Sequence, residues 1–217
     1  MSEPSARLYL VTPLIGDADA FAPLLALACA AGDVAAVLLR LEPADARTLV
    51  NRIKTLAPAA QEAGAAVLIE APREGDLASV ATRGGADGVH VTGDLAGLRA
   101  MRERLKGGRI LGAGGLRSKH DAMTAGEAGV DYVMFGEPRP DGSFAPLESV
   151  ADRAAWWAEI FETPCVACAP TVEAVARLAE THAEFIALGD AVWAHPDGPA
   201  DAVKAALERL TVKEITR

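Results

Sequence analysis

Eight short β-branched or apolar runs alternate along this chain with eight longer stretches of helical period, and that alternation limits the fold more than any other feature. The runs lie at 7–12, 34–40, 66–71, 87–92, 109–113, 131–136, 164–169 and 184–189. The helical patterns fall near 18–31, 44–63, 75–83, 95–106, 118–128, 146–161, 171–181 and 199–210. Eight βα units in 217 residues, about 27 residues each, predict an α/β fold: a single (β/α)8 TIM barrel forming one domain over 1–217. A doubly wound sheet is the competing arrangement. The segments AGDVAAVLL, GGADGVHV, AGVDYVMF and THAEFIAL share a small or polar lead, an acid and an apolar run. Their acids, at 33, 87, 131 and 184, recur about every second unit, which favours a closed barrel over an open sheet with edges.

Composition narrows the partners. With 21 basic against 30 acidic residues the net charge is −9, and no basic run interrupts that balance. Nucleic acid and anionic membranes are therefore not expected partners. A phosphorylated ligand would need a local positive site built from Arg, Mg²⁺ or backbone N–H groups against this field. The start MSEPSARLYLVT has no signal-peptide core and no run reaches the length of a membrane span, so a cytoplasmic protein is expected. Three cysteines, Cys29, Cys165 and Cys168, offer no disulfide framework. Cys165 and Cys168 stand three apart on one strand, so they point to opposite faces and read as buried small side chains.

A barrel of this kind carries its chemistry at the C-terminal ends of its strands. The residues there include Thr12, Arg40, Glu42, Glu70, His90, Thr92, Asp94, Gly114, Gly136, Glu137, Arg139, Ala169, Pro170, Gly189 and Asp190. They contain no Lys and no paired nucleophile and base, so no catalytic residue stands out. His90 shares strand parity with Thr92 and is either a ligand contact or a hydrogen-bonded core histidine. Asp94 is either the N-cap of the next helix or a carboxylate for Mg²⁺. His120 and His182 fall in or beside helical stretches and His195 in a polar loop, where solvent or capping roles suffice.

LYLVT, VLLRLE, GADGVHVTGDL and AGVDYVMFGEPRP, in that order, resemble the thiamin phosphate synthase and thiazole tautomerase family over nearly the whole chain. VLLRLE stands where that family has Val-Gln-Leu-Arg-x-Lys. GADGVHVTGDL is similar to its Gly-Ala-Asp-Gly-Val-His-x-Gly-Gln-x-Asp-Leu, and AGVDYVMFGEPRP to its Gly-Ala-Asp-Tyr-Val-x-Phe-Gly-Pro-x-Phe-Pro-Thr. The resemblance implies a barrel that joins hydroxymethylpyrimidine diphosphate to a thiazole phosphate with release of pyrophosphate, aided by Mg²⁺. It carries Arg40 and Gly136 over as substrate-binding positions and Asp94 as a magnesium carboxylate; His90, Arg139 and Gly189 at the same strand ends are read as further substrate-binding candidates.

The departures from the pattern share a sign. Leu38 stands for Gln and Glu42 for Lys; Glu70-Ala71 replaces Asn-Asp, unless Asp76 of the APREGD loop takes that role. Gly114 stands for Ser, and Arg139-Pro140-Asp141-Gly142 for a Thr-x-Thr-Lys loop. Ala169-Pro170 replaces Gly-Gly, and Pro donates no N–H; Asp190 replaces Ser. Where the tautomerase has a general-base histidine this chain has Leu116, with His120 a helical turn on. The expectation is a family member with a depleted phosphate cradle, weak or inactive in coupling. The alternative is a non-catalytic homologue that binds a small ligand or acts as a scaffold. Adjacent Trp156 and Trp157 cannot both face one helical stripe, so one is expected to be partly exposed, which leaves a homodimer open.

Overall fold

The computed structural model describes residues 6–71, 76–139 and 142–211. Strands β1 (Arg7–Ile15), β2 (Val34–Leu41), β3 (Ala66–Glu70), β4 (Gly88–Thr92), β5 (Ile110–Gly114), β6 (Tyr132–Phe135), β7 (Cys165–Ala169) and β8 (Phe185–Leu188) pair in parallel and close in sequence order. The barrel follows from the residues. A parallel strand covered on both faces needs apolar side chains in both directions, as VAAVLLRL in β2 and CVACA in β7 supply. Outward residues such as Leu10, Val37, Val89 and Cys165 meet the helices, while Tyr9, Leu38, Leu68, Tyr132, Met134 and Cys168 fill the barrel.

Helices α1 (Ala18–Ala30), α2 (Ala46–Glu62), α3 (Leu77–Gly84), α4 (Leu98–Arg104), α5 (Lys119–Glu127), α6 (Leu147–Ile160) and α7 (Ala174–Ala179) follow β1 to β7. Asp17, Asp45 and Asp76 cap α1, α2 and α3, and Ser118 with Asp121 forms a capping box on α5. Several boundaries differ from expectation, α7 among them, which spans Ala174–Ala179 within the expected 171–181. β1 runs to Ile15 because Pro13, which has no N–H, is absorbed by a register shift between Val11 and Leu14. α4 begins at Leu98, three residues late, since Asp94 holds the N–H of Gly97 at 3.2 Å and closes a separate turn first. After β8 the chain makes a short helix, α8 (Asp190–Trp193), before α9 (Pro199–Thr211). Trp193 donates its indole N–H to the Val11 carbonyl at 2.7 Å, so α8 locks the β8–β1 seam.

The recurring acids sit on the rim opposite the strand C-termini, and three of them share one task. Asp87, just before β4, accepts the N–H of Val67 in β3 at 2.7 Å; Asp131, before β6, does the same for Leu111 in β5 at 2.7 Å; Glu184, before β8, for Cys165 in β7 at 2.8 Å. Each carboxylate satisfies a strand N–H that has run past its neighbour's ladder. Asp33, before β2, instead pairs with Arg7 at 2.9 Å. Of the tryptophan pair, Trp157 is fully buried and donates to the Thr163 carbonyl at 2.7 Å, while Trp156 is half-buried beneath Lys119, as the helical stripe requires.

Candidate active site

Interior positions at the strand C-termini form the barrel mouth. On β1 the Thr12 hydroxyl accepts the backbone N–H of Arg40 at 2.9 Å, which fixes where β2 ends. From there the Arg40 guanidinium reaches across to β3 and donates to Glu70 at 3.1 Å. The other oxygen of Glu70 accepts the Thr92 hydroxyl at 2.5 Å, so β2, β3 and β4 are tied in a row. One of the five guanidinium N–H groups of Arg40 is thus engaged within the protein.

Beneath that row lies a buried polar chain. Gly112 makes room for it, because a Cβ there would overlap the Tyr132 ring. Tyr132 can therefore cross the barrel, meeting the Tyr9 hydroxyl at 2.9 Å and His90 Nδ1 at 2.8 Å. His90 Nε2 faces Glu137 Oε1 at 3.4 Å, and the Gly115 N–H donates to both carboxylate oxygens, at 3.1 and 2.9 Å. Burial pushes both tyrosine hydroxyls well above their ordinary pKa, so they remain neutral donors and acceptors. A carboxylate only accepts, so the bonding places a hydrogen on His90 Nε2. In the tautomer that leaves Nδ1 bare, Tyr132 donates to Nδ1 and Tyr9 to Tyr132, and each donor then points toward Glu137.

Glu137 reaches this place because Gly136 turns the chain with φ +88° at the end of β6. Its carboxylate lies over Gly114, where a Cβ would overlap Oε1 and come within 2.5 Å of His90 Nε2. The small residue on β5 and the acid after β6 are one steric unit. Glu137 follows a strand-end glycine but occupies the position of Pro in the family pattern, which is why its sequence position alone did not single it out. Its signal lay in the joint change at 114 and 137.

Two chambers share Arg40, Glu70, His90 and Thr92 as a common wall. The outer one holds about 520 Å³ and includes Asp94 and Arg104; the inner one holds about 80 Å³ and includes Leu38, Glu137, Phe144, Gly189 and Asp190. Of the residues expected to bind substrate, Arg40, His90 and Gly189 thus meet at the mouth. Gly136 is buried under Val150 and lines neither chamber; its part is the turn that aims Glu137. Arg139 is exposed and closes its own loop, its backbone N–H donating to the Ser143 carbonyl at 2.8 Å. Pro140 and Asp141 of that loop lie outside the described residues. Glu42 leans over Gly16 and lines neither chamber.

Asp94 is not the N-cap of α4, which is Gly97; it closes the turn ahead of that helix and lines the outer chamber. Asp76 is an exposed cap. Among the described residues no three His, Cys, Asp or Glu side chains gather to hold an ion. The outer chamber has two carboxylates in its lining, Glu70 and Asp94. The tautomerase position is occupied by buried Leu116, and His120 is exposed on α5. His182 lies in the turn after α7 with φ +63°. Burial raises the Cys165 thiol to about 12 and that of Cys168 well above its ordinary value, so neither is a ready nucleophile.

A sequence model of the thiamine monophosphate synthase family matches residues 8–192. The thiamine-phosphate synthase of Rhodospirillum centenum is 42% identical over 200 residues, covering 91% of this chain and 94% of the relative. That of Hyphomonas neptunium is 39% identical over 209 residues, covering 93% and 92%. Among solved structures, thiamine phosphate pyrophosphorylase from Pyrococcus furiosus superposes with a TM-score of 0.74 at 21% identity, covering 99% of each chain. The barrel of (S)-3-O-geranylgeranylglyceryl phosphate synthase from Thermoplasma acidophilum, solved with sn-glycerol-1-phosphate, is also similar, with a TM-score of 0.66 at 15% identity and coverage of 96% and 94%. No helix among the described residues is long and apolar enough to cross a membrane.

Proposed function

The chain belongs to the thiamine monophosphate synthase family, and from that premise we propose that its mouth binds a small phosphorylated heterocycle while coupling two such substrates slowly. One observation carries the reading. The inner chamber sets three carboxylates, Glu70, Glu137 and Asp190, against one guanidinium, Arg40, which Glu70 already holds.

Coupling requires a pyrimidine C–O bond to ionise, and the departing pyrophosphate must be stabilised as its charge develops. Two unit charges 4 Å apart interact by about 4 kcal/mol at the effective dielectric of a partly wet site, so each carboxylate opposes that step appreciably. Losing one contact to developing charge typically costs about a hundredfold in rate. At the mouth Pro170 supplies no N–H and Asp190 adds an anion, so the stabilising set is thin. Mg²⁺ entering with the diphosphate, with Asp94 as its protein carboxylate, would neutralise part of the leaving charge. This chain's own groups then bind and orient: Arg40 toward the anionic tail, the backbone at Gly189 beside it, and His90 at the chamber floor.

The second reading, a ligand-binding homologue without coupling activity, is favoured by the size of the inner chamber. At about 80 Å³ it takes one ring rather than two. A single assay separates the readings. Hydroxymethylpyrimidine diphosphate and thiazole phosphate are incubated with Mg²⁺ and pyrophosphate release is followed, with diphosphate binding measured by calorimetry. The expected result is saturable binding with turnover below about 0.01 s⁻¹, a thousandfold under the median enzyme. No release at all supports the second reading; turnover near ~10 s⁻¹ that is lost in Arg40→Ala overturns both.

A further inference from the structure

The polar end of the outer chamber is the mouth itself, where Arg40, Glu70, His90 and Thr92 stand. The other end has no part in holding a phosphorylated heterocycle. There the cavity extends from the strand ends to the covering helices, and α2, α3 and α4 contribute Leu49, Leu77, Val80, Ala100, Met101 and Arg104 to its lining. Short helices leave this space open. α3 has eight residues and α4 only seven, and the turn closed by Asp94 delays α4 to Leu98, so a helical turn is missing where the chain leaves β4. The chamber volume of about 520 Å³ falls within the range of small-ligand sites, about 300–1,000 Å³. Leu14, which also lines it, is 52% exposed, and Met101 is half-buried, with an unbranched chain that adapts to what it packs against. Aliphatic surface facing water in this way gains from being covered.

Shape and charge define the occupant. Among the described residues His90, at the mouth, is the one aromatic ring in the lining, so the far walls suit a flexible aliphatic chain better than a stacked ring. Of the lining residues that the helices supply, Arg104 alone is charged. It stands exposed in the last turn of α4, and among the described residues its side chain has neither an ion pair nor a hydrogen bond, whereas Arg40 is bonded to Glu70. We infer that the aliphatic end of the outer chamber is a second binding site, which takes an aliphatic chain of about eight carbons carrying an anionic head, carboxylate or phosphate. The chain lies against Leu49, Leu77, Val80 and Met101, and the head pairs with Arg104, whose planar fork of donors matches either oxyanion. This site stands or falls independently of the heterocycle reading of the mouth.

The test uses neither coupling substrates nor Mg²⁺. Octanoate, octyl phosphate and octylammonium, each below its micellar concentration, are titrated against the full chain by ligand-observed NMR. The expected result is saturable octanoate binding at least tenfold tighter than octylammonium, and about fourfold tighter than heptanoate, the gain that one buried methylene gives. Arg104→Gln, an exposed change, should bring octanoate and octylammonium within threefold of each other. Met101→Glu, which sets a carboxylate in the chamber, should weaken octanoate at least tenfold, while Arg40→Ala should leave it within threefold of wild type. Absence of saturable octanoate binding overturns the inference, as do equal affinities for the two heads in the wild type or binding indifferent to both Arg104→Gln and Met101→Glu. Loss of binding in Arg40→Ala overturns it as well, because the head would then lie at the mouth. Octyl phosphate separates the two sources of the head: a tenfold preference for it over octanoate assigns a phosphorylated chain, and the lack of one assigns a free carboxylate.

Discussion

At the scale of single residues the site is governed by a pair that no linear motif contains. Gly114 ends β5 and Glu137 follows β6, and each occupies volume the other would need. Gly114→Ala should therefore destabilise the protein by about 1–3 kcal/mol, as overpacking does, by driving its methyl into the Glu137 carboxylate and His90. In the Glu137→Ala background the same substitution should cost less than half as much. Urea denaturation of the four proteins measures the coupling, and additive costs would show that the two residues do not share the space. Arg40, His90 and Gly189 were legible in the sequence because strand ends define a barrel mouth. Glu137 stood among the same strand-end residues but without a role, because its place in the inner chamber depends on the turn at Gly136 and the space at Gly114. His90 was left between two readings that the structure combines, since it is buried and bonded through both nitrogens yet contributes to both chamber walls.

At the scale of elements the strands were legible from composition, since a strand buried on both faces must be apolar throughout. The ends that moved did so for local reasons: Pro13 lengthened β1 through a register shift, and Asp94 closed a turn ahead of α4. Helix α8 was not legible, because four residues are too few to show a helical period and its anchor, the bond from Trp193 to Val11, spans the whole chain. The recurring acids show the same division. Their period announced a repeat, but their task depends on the neighbouring strand and appears only in three dimensions. Asp87→Ala leaves the Val67 N–H without its 2.7 Å acceptor beside a fully buried side chain. A loss of about 1–2 kcal/mol is expected by chemical denaturation, in line with an unsatisfied buried donor. A change under about 0.3 kcal/mol would show that the rim does not need the carboxylate.

At the scale of the whole molecule, a barrel fold and family membership coexist with an inner chamber lined by three carboxylates and one guanidinium. The net charge of −9 is reproduced in miniature in the inner chamber. The acid rim at 87, 131 and 184 lies at the opposite end of the barrel from the mouth, whereas the strand ends and residues of α2, α3 and α4 line it. Not every unfavourable substitution lies where it matters, however: Glu42 leans away over Gly16, while Glu70 and Asp190 face the chamber. Those two carboxylates are the direct handle on the claim that mouth electrostatics limit coupling. The decisive measurement is pyrophosphate release, with both substrates and Mg²⁺, by the wild-type protein and by the double variant Glu70→Gln with Asp190→Ser. Removing these two carboxylates, one of them the partner of Arg40, should raise the rate at least tenfold, and adding Arg40→Ala should abolish the gain. A double variant no faster than wild type would contradict the account.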